Sequence, residues 1–583
     1  MSQERAIGYG HSFAADGEID TFDQFVEDFH AGRINPDDFK RFRLQHGIYG
    51  QRQAEVQMVR VKIPWGGLTA EQVDRLAAVA DRTPRRVGHV TTRQNVQFHF
   101  VPLADVPEVM RTLGEVGLTT REACGNTVRN VTVGHCAGIC PDEAFDPTPY
   151  ADAVARFLLR NPMNQNLPRK FKIAFSGCDE DSGLTPIHDV GARAVVEPID
   201  GESVRGFRIF IGGGLGPAPQ VAQVLEPFTP ADDLLPTVAA IVRVFDRHGN
   251  RENRNLARLK FVVKKLGIDP VRTLILRERE ALRLTMAGKF PAIEVWEEVA
   301  PVRRTSAVGG PAPDDSRWLR WRPTNVIPQK QSGWAAVNVR LVRGDATVEQ
   351  FRALASIARE FGDGTVRATN QQNVLLRWIP TALLPAVHAK LLEVDLAEPG
   401  AERLVDVTSC PGADTCQLGI TSSRGLALEL SRMIERELAD LADDAGVRIK
   451  ISGCPNSCGQ HHLAGIGLYG GARKFHDEQA PAYQLLLGAS LAPGRVRFAK
   501  PIARVPAKQV PEAVKALLVL YRDERKPDET FDAFVDRTDR ERFQSVLAPW
   551  TELPPSSEVP DKYLDWGAHE AFKAETGPGE CAA

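Results

Sequence analysis

The sequence predicts an α+β protein that carries an internal duplication, and three observations point there. A strand–helix–strand stretch near the N-terminus recurs in the second half of the chain. A pair of cysteine-bearing loops recurs behind each copy at a constant offset. The 583 residues, 43% hydrophobic and 25% charged, are too many for a single core and suggest about three or four domains of an ordinary globular protein.

Residues 1–50 form an N-terminal extension. Its start, "MSQERAIGYGHSFAADGEIDTFDQF", has acidic residues and no apolar core, so it reads as neither a secretory signal nor a transit peptide. The first module, 51–120, contains "VRVKIPWGGLTAEQVDRLAAVADRTPRRVGHVTTRQNVQFHFVP". Its alternating apolar residues give strands on either side of a helical stripe that opens at Thr-x-Glu. Residues 121–328 follow as a larger domain. Inside it, 217–236 is rich in Pro and Ala and reads as a connecting loop, while 251–269, "RENRNLARLKFVVKKLGID", reads as a basic helix. On that helix Arg254 and Arg258 share one face and Lys260 and Lys264 another.

The second module, 329–398, repeats the first. Thr69, Glu71, Gln72, Leu76, Ala77 and Ala80 meet Thr347, Glu349, Gln350, Leu354, Ala355 and Ala358. Residues 399–525 repeat the larger domain: "RNVTVGHCAGIC" faces "VDVTSCPGADTC", and "IAFSGCDEDSG" faces "KISGCPNSCG". The order module, domain, module, domain makes a pseudo-two-fold packing the natural expectation. Residues 526–583, with "PWTELPPSSEVP", read as a surface or flexible extension.

Net charge is −3, from 72 basic and 75 acidic residues, so nothing global points to nucleic acid or an anionic membrane. No run approaches the ~18 apolar residues of a membrane helix, and a cytoplasmic protein is expected. Nine cysteines spread over so long a chain favour metal or redox use over a disulfide framework.

The two copies have diverged in complementary ways. The second carries Cys410, Cys416, Cys454 and Cys458 where the first has Gly134, Cys140, Cys178 and Ser182. The first carries Arg93, Arg129, Lys170 and Lys172 where the second has Gln371, Val405, Gly446 and Arg448. One half is specialised for thiolate ligation and the other for positive charge. The spacing C-x5-C and then C-x3-C does not match the C-x2-C knuckles of structural zinc. Four loosely spaced thiolates after predicted strands suit an iron–sulfur cube, though spacing alone leaves other arrangements open. Gly412, Gly453 and Gly459 would let backbone N–H groups approach the sulfurs. His461 and His462 compete as ligands but read better as packing residues. Cys140 and Cys178 lack ligand partners in their own half and read as buried hydrophobes, and Cys124, Cys136 and Cys581 belong to no constellation. "IGGGLG" (211–216) follows an apolar strand but lacks the spacing and the acidic residue of a dinucleotide loop.

"TSCPGADTCQLGITSSRG" with "ISGCPNSCGQHHLAGIGLYG" resembles the paired signature of the sirohaem- and [4Fe–4S]-dependent nitrite and sulfite reductases. The likeness extends to "TTRQNVQFHF", to "NLPRKFK" and to the two-copy order over roughly residues 45–525. It implies two ferredoxin-like αβ modules (51–120 and 329–398) paired as one half-domain, and two α/β domains (121–328 and 399–525) that hold sirohaem and cluster. It further implies that Cys410, Cys416, Cys454 and Cys458 ligate the cluster and that Cys458 also bridges to the sirohaem iron. By the same resemblance Arg93, Arg129, Lys170 and Lys172 grip the substrate oxyanion, Arg169, Asn126, Gln371 and Asn456 contact the cofactors, and "IGGGLG" lies beside the sirohaem. Lys172 sits where sulfite-reducing members carry lysine. Sulfite reduction to sulfide by six electrons is therefore expected, with nitrite reduction to ammonia, or a non-catalytic redox protein, as alternatives. No flavin or nicotinamide motif is present. Electrons are expected from a separate protein, ferredoxin by resemblance or else a flavoprotein, with the basic helix as a docking face or a contact for sirohaem carboxylates.

Overall fold

The computed structural model describes residues 9, 11–301, 313–492, 494–577 and 579–580, the side chain of Asp16 excepted. Two helices, α1 (Asp16–His30) and α2 (Pro36–Gln45), open the chain. Asn35 caps α2 by accepting the Asp38 N–H at 2.9 Å, and Pro36 takes the first helical position, where a missing N–H costs nothing.

The first module runs through β1 (Ile48–Gly50), β2 (Val56–Val61), β3 (Gly67–Thr69), α3 (Ala70–Asp81), β4 (Val87–Val90), β5 (Val96–Pro102) and α4 (Val106–Gly114). The first large domain follows: β6 (Val128–Val133), α5 (Thr148–Leu158), β7 (Phe171–Ser176), β8 (Val190–Ile199), β9 (Glu202–Ile211), β10 (Gln223–Pro230), α6 (Leu234–His248), α7 (Leu259–Leu266) and α8 (Ile268–Thr285). The second module consists of α9 (Ser316–Asn325), β11 (Val326–Pro328), β12 (Trp334–Val339), β13 (Asp345–Thr347), α10 (Val348–Phe361), β14 (Thr365–Ala368), β15 (Val374–Pro380) and α11 (Leu384–Leu392). The second large domain comprises β16 (Thr408–Ser409), α12 (Ser423–Glu437), β17 (Ile449–Ser452), β18 (Ile466–Phe475), β19 (Glu478–Leu487), β20 (Lys500–Pro506) and α13 (Val510–Glu524), and α14 (Phe531–Arg537) and α15 (Arg540–Leu547) come after it.

The duplication is visible in the sheets. The modules exchange their short strands: β13 pairs with β4, putting Asp345 opposite His89, and β3 pairs with β14, putting Thr69 opposite Thr365. The resulting orders, β1-β2-β5-β4-β13 and β11-β12-β15-β14-β3, are copies of one another. Both exchanged strands end on a threonine that caps the next helix. Thr69 accepts the Gln72 N–H at 3.1 Å while Gln72 Oε1 accepts the Thr69 N–H at 3.0 Å, and Thr347 and Gln350 repeat the box at 3.3 and 3.0 Å. The partner three residues on is thus glutamine, not the glutamate of the Thr-x-Glu pattern. Val61, Val73, Leu76, Val337, Leu354 and Leu376 meet in one core shared by the two modules.

Each large domain has its own five-stranded sheet and core. In the first, β6, β7 and β8 are parallel and β9 and β10 antiparallel; in the second, β16, β17 and β18 are parallel and β19 and β20 antiparallel. Parallel neighbours need long crossovers, and α5 and α12 supply them. The loops that leave β7 and β17 therefore occupy equivalent places, and these loops carry Cys178 and Cys454.

Three expectations are corrected. Residues 217–236 are not a loop, because β10 pairs with β9 and α6 begins at Leu234. The stretch 251–269 is not one helix. It holds a 3-10 turn (Arg254–Leu256), the eight-residue α7, and a break at Gly267, whose φ of 85° a side chain would resist. The residues after 525 are not merely a surface tail, since Phe531, Phe534, Phe543 and Leu547 enter the core of the second large domain.

Candidate active site

Strand β7 alternates Phe171 inward with Lys172 outward, and the turn from β4 to β5 carries Thr92 and Arg93. These side chains meet the β17 loop of the other large domain. Thr92, Arg93, Lys172, Ile187, His188, Leu215, Ser457, Cys458 and Gln460 line one cleft of about 270 Å³. Thr92 Oγ1 donates to the Cys458 carbonyl at 3.0 Å, which ties the cation side to the cysteine side.

Arg93 is held by Thr132 Oγ1 at 3.1 Å and by the carbonyls of Asn130 and Ile173. Burial pushes its pKa down, partly opposed by Asp189, yet a guanidinium keeps its charge. Lys172 Nζ has no hydrogen-bond partner among the described residues. Burial, then the charges of Arg93, Lys170 and Arg258, hold its pKa well below the usual lysine value. Arg129 stands behind the cleft, its Nε bonded to the Gly125 carbonyl at 2.9 Å, Nη1 to the Ala123 carbonyl at 3.1 Å and Nη2 to Tyr49 Oη at 3.3 Å. Lys170 and Arg169 are half-buried just before β7 and do not line the cleft.

The four second-copy cysteines gather around the β17 loop. Burial raises the Cys454 pKa, and Cys458, Cys410 and Cys416 raise it further in that order, so all four thiols lie within electrostatic reach. No three His, Cys, Asp or Glu side chains among the described residues converge as a single-ion site. Donors that are neighbours but too spread for one ion fit a larger cage. Gly453 N–H donates to Cys410 Sγ at 3.2 Å, and Asn456 N–H reaches the Cys454 thiol. Such bonds would stabilise sulfur anions. Gly459 N–H goes to Ser452 Oγ at 3.1 Å, not to a sulfur as expected. Cys458 is exposed to the cleft, and beside it Ser457 Oγ is buried with no partner. An exposed thiol, an orphaned hydroxyl and the Arg93 and Lys172 cations sharing one cleft fit a polyanionic tetrapyrrole whose metal accepts a thiolate.

Gln371 does not line the cleft and is taken up by the second copy's own cations: its Oε1 accepts from Lys450 Nζ at 2.7 Å and Arg448 Nη2 at 3.3 Å. Lys450, whose pKa burial lowers to about 7, also reaches Gln460 of the cleft at 3.1 Å. Glu402 lies 3.7 Å from Arg448, at the position where the first copy has the half-buried Asn126. The second half therefore neutralises the very cation that corresponds to Lys172. His461 and His462 pack on each other and on Tyr469 and Phe498, as expected of packing residues.

Sequence reading missed His188 and Asp189, and it placed Arg258 and Lys260 on a solvent-facing basic helix, whereas both side chains turn toward the cleft wall. His188 Nδ1 donates to the Leu184 carbonyl at 2.7 Å, and burial among cations holds the ring neutral. Asp189 is fully buried, accepts the Lys172 backbone N–H at 2.9 Å and pairs with Arg258. Lys260 turns inward to the carbonyls of Leu215 and Ala218, so part of the "basic helix" secures the glycine loop. The copy comparison held the signal, since His188–Asp189 stands where the second half has Ala464–Gly465. Cys140 is half-exposed and its thiol contacts that of Cys178, so these two are each other's partners and not inert hydrophobes. Cys581 lies outside the described residues.

The chain matches the family described as the nitrite and sulphite reductase 4Fe-4S domain over residues 124–283 and 400–552. Residues 49–116 and 327–394 match the nitrite/sulfite reductase ferredoxin-like half domain. It is 30% identical to the assimilatory ferredoxin-dependent nitrite reductase of Haloferax mediterranei, covering 85% of each chain. To sulfite reductase [ferredoxin] 1 of Mycolicibacterium paratuberculosis it is 29% identical, covering 84% of each. The solved structure of NirA from Mycobacterium tuberculosis superposes with a TM-score of 0.76 at 27% identity, covering 90% of this chain and 95% of that one. No helix among the described residues is long and apolar enough to cross a membrane.

Proposed function

Because this chain belongs to the nitrite and sulphite reductase family, we propose that it reduces sulfite to sulfide with electrons from a ferredoxin-class donor. The observation that carries this reading is the meeting of Arg93 and Lys172 with Cys458 in one cleft. Cys410, Cys416, Cys454 and Cys458 would hold the [4Fe–4S] cluster, Cys458 would also ligate the sirohaem iron, and Arg169, Asn126, Gln371 and Asn456 would stand around the cofactors. When bound, the pair supplies low-potential electrons at an anion-binding metal.

The chain's own residues then bind, orient and protonate. Arg93, fixed by Thr132, Asn130 and Ile173, offers a rigid cation to an oxyanion. Lys172, with a lowered pKa and no side-chain partner, is suited to release a proton at Nζ as substrate oxygen leaves as water. Arg129 and Lys170 deepen the positive field from behind. Ile187 and Leu215 wall the cleft against water.

Nitrite reduction to ammonia is the second reading, favoured by the nitrite-reductase name of the Haloferax relative. Steady-state kinetics on both anions with one common reductant tests the assignment. A higher kcat/KM for sulfite is expected, and a higher value for nitrite overturns the choice of substrate. A preparation without sirohaem absorbance after anaerobic reconstitution overturns the reading as a whole.

A further inference from the structure

The loop after β7 repeats the loop after β17, and two of the four cluster positions keep their cysteines: Cys140 corresponds to Cys416 and Cys178 to Cys454. The other two have become Gly134 and Ser182, with Ser182 Oγ lying where a side chain at Gly134 would project, so this half is two thiols short of a cage's ligand set. The two thiols have closed on one another instead. Cys140 and Cys178 are in hydrogen-bond contact, and the main chain keeps them there. Glu143 bridges to Cys178 in antiparallel register, and the Ala144 N–H donates to the Gly177 carbonyl at 2.8 Å.

From this geometry we propose that Cys140 and Cys178 form an oxidisable dithiol, a modification site that closes to a disulfide on exposure to a hydroperoxide. Cys178 is the attacking sulfur. The Cys140 thiol donates to it and lowers its pKa, and the nearby backbone N–H groups of Ser182 and Asp181 lower it further. The Cys178 thiolate takes an oxygen from the peroxide, giving a sulfenic acid and hydroxide (or an alcohol from an organic hydroperoxide). Cys140 then attacks that sulfur and the oxygen leaves as water, so two thiols and one peroxide become one disulfide and two waters. Cys140 is half-exposed and Cys178 buried, so a small hydroperoxide must enter past Cys140 to reach the attacking sulfur, and bulkier oxidants are kept from it. The loop continues through Leu184 at a left-handed φ of 57° to Ile187 and His188, which line the cation cleft. Modification therefore falls on the segment that shapes the anion site.

The experiment uses the full chain with its cluster and sirohaem loaded. The protein receives one equivalent of hydrogen peroxide, its free thiols are alkylated, and its peptides are mapped by mass spectrometry. Iron content is followed in parallel. A crosslinked peptide pair containing Cys140 and Cys178, formed before Cys136 or Cys124 is modified and lost on thiol reduction, is expected. In Cys140→Ser the same treatment should leave a sulfenic acid on Cys178 that dimedone traps. Recovery of Cys140 and Cys178 as free alkylated thiols in the wild-type chain, while Cys136 or Cys124 is oxidised, overturns the proposal. So does oxidation of Cys178 beyond the sulfenic acid without any crosslink.

Discussion

Asp189 and Arg258 form a two-point ion pair beside the cation cleft, with Arg258 Nε 3.0 Å from Oδ1 and Nη2 2.6 Å from Oδ2. The same carboxylate accepts the Lys172 backbone N–H, so one buried anion anchors the strand that presents the lysine. Asp189→Asn removes the charge and leaves Arg258 uncompensated. Breaking one partner of a buried pair costs about 3–5 kcal/mol. An unfolding free energy lowered by that amount, read as a lower urea midpoint, is expected, together with a smaller sirohaem-to-protein absorbance ratio. An unchanged midpoint would mean that Arg258 finds another anion.

Lys172 is the cleft cation with no side-chain partner, so its loss should be felt in chemistry more than in folding. Lys172→Asn is expected to lower kcat/KM for sulfite by about a hundredfold, the order seen when one preorganised donor is removed. Nitrite turnover should fall less. Equal losses for the two anions would remove the reason for assigning sulfite.

Gly459 follows the proposed bridging cysteine, and a Cβ there would sit 1.9 Å from the Ile451 carbonyl oxygen. Backbone, unlike a flexible side chain, has nowhere to go, so Gly459→Ala must move the Cys458 loop. Iron bound per chain should drop below about half, while far-ultraviolet circular dichroism, dominated by four sheets of which this loop borders only one, stays near wild type. Full iron loading would show that the loop tolerates the shift.

His46 is buried at the end of α2 with both ring nitrogens committed. Nδ1 lies 2.9 Å from the Phe42 carbonyl and Nε2 2.9 Å from Arg121 Nη1, so Nε2 must accept and the ring must be neutral. Burial, then Arg121 and more weakly Arg160, lowers its pKa to about 4, against smaller opposing contributions from the Phe42 carbonyl and Glu18. In the unfolded chain the ring protonates near its ordinary value of about 6.5, so the unfolded state binds the extra proton between those limits. Stability from this group is thus complete above about 6.5 and is lost as pH falls toward 4, amounting to about 3 kcal/mol. His46→Gln should flatten that part of the profile in urea titrations from pH 7 to 4; an unchanged slope assigns it elsewhere.

The duplication, the helix starts at Thr69 and Thr347, and the division of labour between a thiol half and a cation half were all legible in the residues. Each rests on local pattern or on comparing one copy with the other. The basic stretch 251–269 misled because charge spacing says nothing about direction. Lys260 turns inward only because the carbonyls of Leu215 and Ala218, distant in sequence, are there to receive it.

By itself the sequence determined which residue types each copy kept: four cysteines in one, Arg93, Arg129, Lys170 and Lys172 in the other. Only the tertiary structure decided which of them share a space. The exchange of β3 and β13 locks the copies face to face, and the Thr92–Cys458 bond brings Arg93 and Lys172 to the thiol, while Arg129 is tied off behind them. The physical reason is that a strand's period fixes which face a side chain takes, whereas the partner across that face is set by long-range packing, which no local pattern encodes.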